Sequence, residues 1–258
     1  MVLMCYNYTN LFYQAGDIMQ LGVVTDIHNN LTALKVVIEK LQQLGCDKII
    51  CCGDIIGIGP YPEETVQYLM QIPNLIAVRG NHEKYLLDEM PTEYPNEENM
   101  GYEEMKHHQW EHTLLSMKSV DFLRSLPYRV NLKCEGYTLS VVHYCMDNDG
   151  HYINGKMNPT KRDLKKMFAD FEADIVLYGH NHNRNICKGD KYYINAGSLG
   201  CPSRDKNVAR AGIVNIQNSS VEFVPVDLEY DVDEVIRAID KINYPDADNI
   251  KKYFYGIE

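Results

Sequence analysis

Short apolar runs rich in β-branched residues alternate with longer stretches in which apolar side chains return every three or four positions. The first run, LGVVT at 21–25, has the composition of a buried strand. In the stretch that follows, Leu31, Leu34, Val37, Ile38, Leu41 and Leu44 share one helical face, and Gly45 closes the helix. KIICC predicts a second strand, running up to Asp54. A turn at 57–60 leads to a helix over about 62–71, with Pro62 near its start and Glu63 and Glu64 in its first turn. A third strand is predicted at 74–78. This β-α-β-α-β order implies parallel strands joined by right-handed crossovers.

Residues 84–126 break the rhythm. EMPTEYPNEENMGYEE is acidic and turn-rich, and the run Glu93–Glu104 within it reads as a solvated loop. A helical pattern then returns up to Leu126, with Trp110 placed to pack it onto the rest. Together these predict a helical insertion, or lid, over about 84–126. Further strands are predicted at 128–132, 137–143, 174–178, 191–195, 211–216 and 221–226, with helices near 160–171 and 231–241. The tail to Glu258 has no clear period. Strands from both halves form two facing sheets with helices outside: an α/β fold, a four-layer α-β-β-α sandwich in one domain, 19–258. Residues 1–18 are expected to be an extension outside the core, because Met19 directly precedes the first strand and the segment lacks the pattern of a signal peptide.

At 258 residues and 45% hydrophobic content, one large domain is the default. A formal net charge of -11 argues against a general nucleic-acid or membrane-surface binder, whose contact face is normally basic. It leaves room for a local phosphate pocket. The eight cysteines form no C-x-x-C pair, which favours reduced thiols and a cytoplasmic location. No apolar run approaches the ~18 residues of a membrane span.

The polar residues that end the apolar runs carry the chemistry. Asp26 and His28 follow the first, Asp54 the second, and Asn81 and His82 the third; His143, His180 and His182 end two later runs. In open α/β sheets ligands gather at the carboxyl ends of strands. Carboxylate, amide and imidazole donors without thiolate suit Mn, Fe, Zn, Ni or Co. His107, His108 and His112 lie apart on the insertion and are assigned to a solvated or lid face, with no acidic or thiol partner to complete a metal site.

In order, these residues spell D-x-H, G-D, G-N-H, H and G-H-x-H, a pattern that resembles the calcineurin-like metallophosphoesterase superfamily. DIHNNLTAL, GDIIGIGPYPEE and INAGSLGCPSRD are similar to stretches of its bacterial YfcE-like phosphodiesterase branch. The resemblance implies two divalent metal ions, with manganese foremost. Asp26, His28, Asp54 and His182 would hold the first. Asp54 would bridge to the second, held also by Asn81, His143 and His180. His82 would be the catalytic histidine, and Asn81 and Arg204 would contact substrate. The implied reaction is hydrolysis of a small or nucleotide-like phosphate ester, preferably a diester, by a hydroxide bridging the two metals. The alternatives are a phosphomonoesterase on the same site and a non-catalytic scaffold of the same fold. Three features depart from the pattern: Asn29 and Tyr144 stand where Gly is usual, and the D-R-G extension of the protein phosphatases is absent.

Overall fold

The computed structural model describes residues 18–257 except 89, 97, 99, 202–206, 218, 219 and 243. The expectation for residues 1–17 therefore lies outside the described residues, as does Arg204. One sheet has the order β10-β9-β1-β2-β3. Its central strands β1 (Met19–Val24), β2 (Lys48–Cys51) and β3 (Leu75–Ala77) are parallel, as the crossover pattern required. β9 (Val208–Gln217) and β10 (Ser220–Glu229) extend it as an antiparallel hairpin. The other sheet has the order β4-β5-β6-β8-β7. In it β5 (Tyr137–Val142), β6 (Ile175–Leu177) and β8 (Tyr192–Asn195) are parallel, with β4 (Arg129–Cys134) and β7 (Asn185–Lys188) antiparallel at the edges.

Side-chain alternation along each strand builds the layers. Leu21 and Val23 of β1 face Leu139, Val141, Ile175 and Leu177 of the second sheet, closing the core between the sheets. Val24, one residue on, faces the outer helices. That layer contains α1 (Leu31–Gln43), α2 (Pro62–Leu69), α5 (Met117–Ser125), α7 (Val232–Lys241) and α8 (Ala247–Tyr255). On the far side α6 (Lys161–Met167) covers Val142, Val176 and Tyr193 through Leu164 and Phe168. The four-layer α-β-β-α sandwich is the observed architecture.

Three elements escaped the sequence reading: α3 (Asn81–Leu87), β7 and α8. β7 is a short edge strand whose burial alternates only between partial and none, so its apolar signal is weak. α8 forms within the unassigned tail, burying Ile250 and Tyr255. Within the insertion, α4 (Tyr102–His112) and α5 are helical as expected, and Trp110 packs against the outer core and Tyr244.

Candidate metal centre

The segments leaving β1, β2 and β3 meet those leaving β5, β6 and β8. Each chain end turns sharply as it leaves its strand: Asp26, His28, Asp54 and His180 all adopt positive φ, between 48° and 70°. An L-residue in this region costs about 1–2 kcal/mol. The surroundings hold the strained backbone in place. Asp26 N–H donates to Gly53 O, Ile27 and His28 N–H to Asp54 O, and Leu199 and Gly200 N–H reach back to Thr25 O and Asp26 O.

Every described donor predicted from the sequence arrives at this edge. Asp26, His28 and His182 offer ligand atoms within 4.8 Å of one another, and so do Asp54, His143 and His180. Asn81 Oδ1 joins the second group, 3.1 Å from His143 Nε2 and 3.0 Å from His180 Nδ1. Asp54 Oδ2 stands between the groups, 3.1 Å from His143 Nε2 and 3.9 Å from His28 Nε2. His28 Nδ1 donates to Ile56 O and His143 Nδ1 to Cys52 O, which turns Nε2 of each ring toward the centre. His28 Nε2 and His182 Nε2 lie 3.1 Å apart, close enough for both to face one cation. The donor set fits metal ions.

Burial sets the electrostatics here. It raises the Asp26 carboxyl despite the charges of His143 and His182. At Asp54 burial works in the same direction, but the charges of His143 and His82 outweigh it and hold the carboxyl well below its usual range. Burial lowers His82 to about 3 and His180 to about 3. His143 is the exception: the Asp54 charge overcomes burial and lifts it to about 9. A divalent cation between the two groups would reverse that local logic.

Residues 19–219 match the calcineurin-like phosphoesterase superfamily domain. The chain belongs to this superfamily. An uncharacterized protein of Methanocaldococcus jannaschii, MJ0912, is 28% identical over 88% of this chain and 94% of its own length. The fold is similar to that of a metallophosphoesterase from Sphaerobacter thermophilus (TM-score 0.70, 22% identity, 93% of this chain and 99% of that one). It is also similar to hypothetical protein PH1004 from Pyrococcus horikoshii (TM-score 0.75, 18% identity, covering the same shares of the two chains).

Within this superfamily fold, His82 stands outside the two donor groups, and with His28 and Asp54 it makes a third set of ligand atoms within 4.8 Å of one another. Its Nε2 is 3.9 Å from Asp54 Oδ2, and its Nδ1 has no hydrogen-bond partner. Its ring meets His28 and His108 edge-on, with centroids at 4.8 Å and 4.9 Å.

That contact corrects the expectation for the insertion histidines. His107 and His108 are buried rather than solvated, and Glu111, one helical turn on, is the acidic partner they were expected to lack. The group is a hydrogen-bond hub. Glu111 accepts from Asn29 Nδ2 and from Gly57 N–H, while His107 Nε2 accepts from Ile58 N–H and lies 3.0 Å from Tyr244 Oη. Burial opposes the Glu111 charge, but the hydrogen bond from His108 and the His107 charge hold its carboxyl below the usual range. Asn29, where the family has Gly, is thus the anchor that joins the first loop to α4. The run Glu93–Glu104 is likewise only partly a solvated loop, since Glu98 and Glu104 line the cavity over the site.

Glu83 was missed altogether. Its fully buried carboxylate accepts four backbone N–H groups: Asp54 at 3.0 Å, Ile55 at 2.8 Å, Ile56 at 3.0 Å and Gly80 at 2.7 Å. Burial and the Asp54 charge push its carboxyl up to about 7 against those donors. The one available signal was its place after G-N-H, three residues beyond Gly80, at the N3 position of α3.

The seven described cysteines, Cys46, Cys51, Cys52, Cys134, Cys145, Cys187 and Cys201, are all free thiols. No helix among the described residues is long and apolar enough to cross a membrane.

Proposed function

We propose that this chain is a dinuclear metal-dependent phosphoesterase, acting by preference on phosphodiesters. The observation that carries this reading is the pair of donor groups sharing Asp54 at the edge where both sheets deliver their strand ends. Asp26, His28, Asp54 and His182 would hold one ion, and Asp54, Asn81, His143 and His180 the other. Manganese suits the nitrogen and oxygen donors, as do Fe, Zn, Ni and Co. When bound, such a pair supplies Lewis-acid charge to a phosphoryl group and lowers the pKa of a water toward ~7.

The chain's own residues do the rest. Backbone hydrogen bonds to His28 and His143 fix ring orientation, so the donors need no rearrangement to bind. The His82 imidazole borders the cavity, where it can hydrogen-bond a phosphoryl oxygen or deliver a proton to the leaving oxygen. Arg204 is proposed as a further phosphate contact on the resemblance alone. The preference for diesters rests on the branch motifs and on the missing D-R-G extension. On this reading residues 19–258 act as one domain with the 84–126 insertion as lid, and the free thiols suit a cytoplasmic enzyme.

The purified protein should carry close to two transition-metal ions per chain by elemental analysis. It should hydrolyse an aryl phosphodiester faster than the matching monoester, and chelation should abolish both activities. Absence of metal together with inactivity under Mn, Fe, Co, Ni and Zn would leave a scaffold role instead.

A second expectation tests the placement of His82. Gly57 has a φ of +91°, and a Cβ there would overlap His82 Nδ1. Gly57→Ala should therefore displace the imidazole and lower kcat by about 10–100-fold, the scale of a 1 Å misplacement. Metal content should stay near that of the parent; a kcat within twofold of it would remove His82 from the reaction.

A further inference from the structure

The cavity over the donor edge is about 800 Å3, far more than a phosphoryl group fills. Its outer wall comes from three separate segments: the insertion, the loop at 145–160, and α8 with the residues before it. The charge on that wall is uneven. Beyond the metal donors it carries three carboxylates, Glu98, Glu104 and Asp246. Among the described residues the lysine or arginine lining it is Lys156, whose Nζ is 2.9 Å from Asp163 Oδ2 and so is already paired.

Aromatic faces stand between these carboxylates and the donors. Tyr144 stacks on His180 with centroids 4.3 Å apart, and Tyr152 meets Tyr144 edge-on at 6.2 Å. Tyr85 donates its hydroxyl to Glu98 Oε2 at 2.9 Å and accepts from Asn81 Nδ2 at 3.2 Å. Glu98 is thereby held one tyrosine away from the donor edge. Across the cavity, Glu104 Oε1 is 4.0 Å from Nε2 of buried His108, an atom with no hydrogen-bond partner.

This lining discriminates by charge. Among the described residues of this wall, a polyphosphate or a nucleic-acid backbone would bring further anions against three carboxylates and one lysine that is already paired. A neutral alcohol gains only apolar contact. An ammonium group gains attraction from the carboxylates and from the tyrosine faces. We propose that the pocket selects phosphodiesters in which one ester group carries a cationic amine, primary or quaternary. The inference rests on the phosphoesterase reading and names its substrate class. Hydrolysis adds one water: its oxygen forms a new P–O bond, one ester P–O bond breaks, and the departing oxygen leaves as alcohol or phenol. The remaining ester becomes a phosphomonoester.

The test uses the metal-loaded full chain and three p-nitrophenyl phosphodiesters of matched size. Their second ester groups are 2-(trimethylammonio)ethyl, the neutral isostere 3,3-dimethylbutyl, and 2-carboxyethyl. The cationic ester should show kcat/KM about tenfold above the neutral one, with the anionic ester lowest. In Glu98→Gln, Glu104→Gln and Asp246→Asn chains the cationic-to-neutral ratio should fall toward one. A purely structural role for these acids would lower both esters together and keep the ratio, which would overturn the assignment. Equal kcat/KM for all three esters in the parent chain overturns the cation preference and leaves the phosphoesterase reading standing. Turnover of none, with bis(p-nitrophenyl) phosphate inert as well, removes both. A further arm presents the same trimethylammonioethyl headgroup on phosphatidylcholine vesicles and as soluble glycerophosphocholine. Hydrolysis of either supports the preference, and the faster of the two identifies the source of the headgroup.

Discussion

Asp54→Asn should lower phosphoesterase activity by roughly 10³-fold or more, the scale on which a preorganised electrostatic contact to the reacting group is lost. The substitution is nearly isosteric, and the amide oxygen can still accept the His82 N–H that Asp54 Oδ1 receives at 3.1 Å. The loop should therefore keep its shape. What disappears is the anionic oxygen standing between the two donor groups, 3.1 Å from His143 Nε2 and 3.9 Å from His28 Nε2. An amide carries one coordinating oxygen and no charge, so it cannot serve two cations equally. Elemental analysis should show metal content falling from about two ions per chain to one or fewer, while the thermal melt remains cooperative. A variant that keeps both ions and a tenth of the activity would show that Asp54 is not the shared ligand.

Glu83→Ala should be the most destabilising single change at the site, by about 3–5 kcal/mol, because buried N–H groups left unpaired cost about 1–3 kcal/mol each and water entry would offset part of the sum. Four donors, the N–H groups of Asp54, Ile55, Ile56 and Gly80, lose their acceptor together. Their loop is the one that carries Asp54 at positive φ, so ordering of the centre should fail along with stability. A drop in Tm of about 8–15 °C is the expected readout, on the scaling of about 2–4 °C per kcal/mol for chains of this size. Glu83→Gln keeps one carbonyl oxygen for Ile55 and Ile56 or for Asp54 and Gly80, and should fall between the two. A loss under 1 kcal/mol for the alanine variant would mean that other acceptors take over these groups.

The two variants separate two kinds of residue that differ in how visible they are to sequence reading. Asp54 ends an apolar run beside a glycine, and its carboxylate faces the centre; pattern and chemistry coincide at one position. Glu83 sits inside a helix, where an acidic residue is ordinary. Its weight comes from four N–H groups contributed by two separate turns; the local capping position points to Gly80 alone, and nothing near Glu83 announces the other three. Glu111 repeats the lesson. On the helix it is one acid among several, and only the fold brings Asn29, Gly57 and His108 to its carboxylate. The same contacts turn His107 and His108 from a solvated face into a buried wall against His82. α8 stayed unreadable because its buried side is narrow, while Tyr253 borders the cavity and Phe254 is shared between the cavity and the outer core.

The sequence by itself determined the sandwich, the parallel strands and the described donors, because apolar periodicity dictates which faces are buried and strand ends are where polar residues can converge. Tertiary structure alone decided how those donors are held and what stands above them. Glu83, the Glu111 hub and the acidic, tyrosine-lined cavity are assembled from segments far apart in the chain. Their energies depend on desolvation and on hydrogen bonds across the fold, and neither is a property of any local stretch.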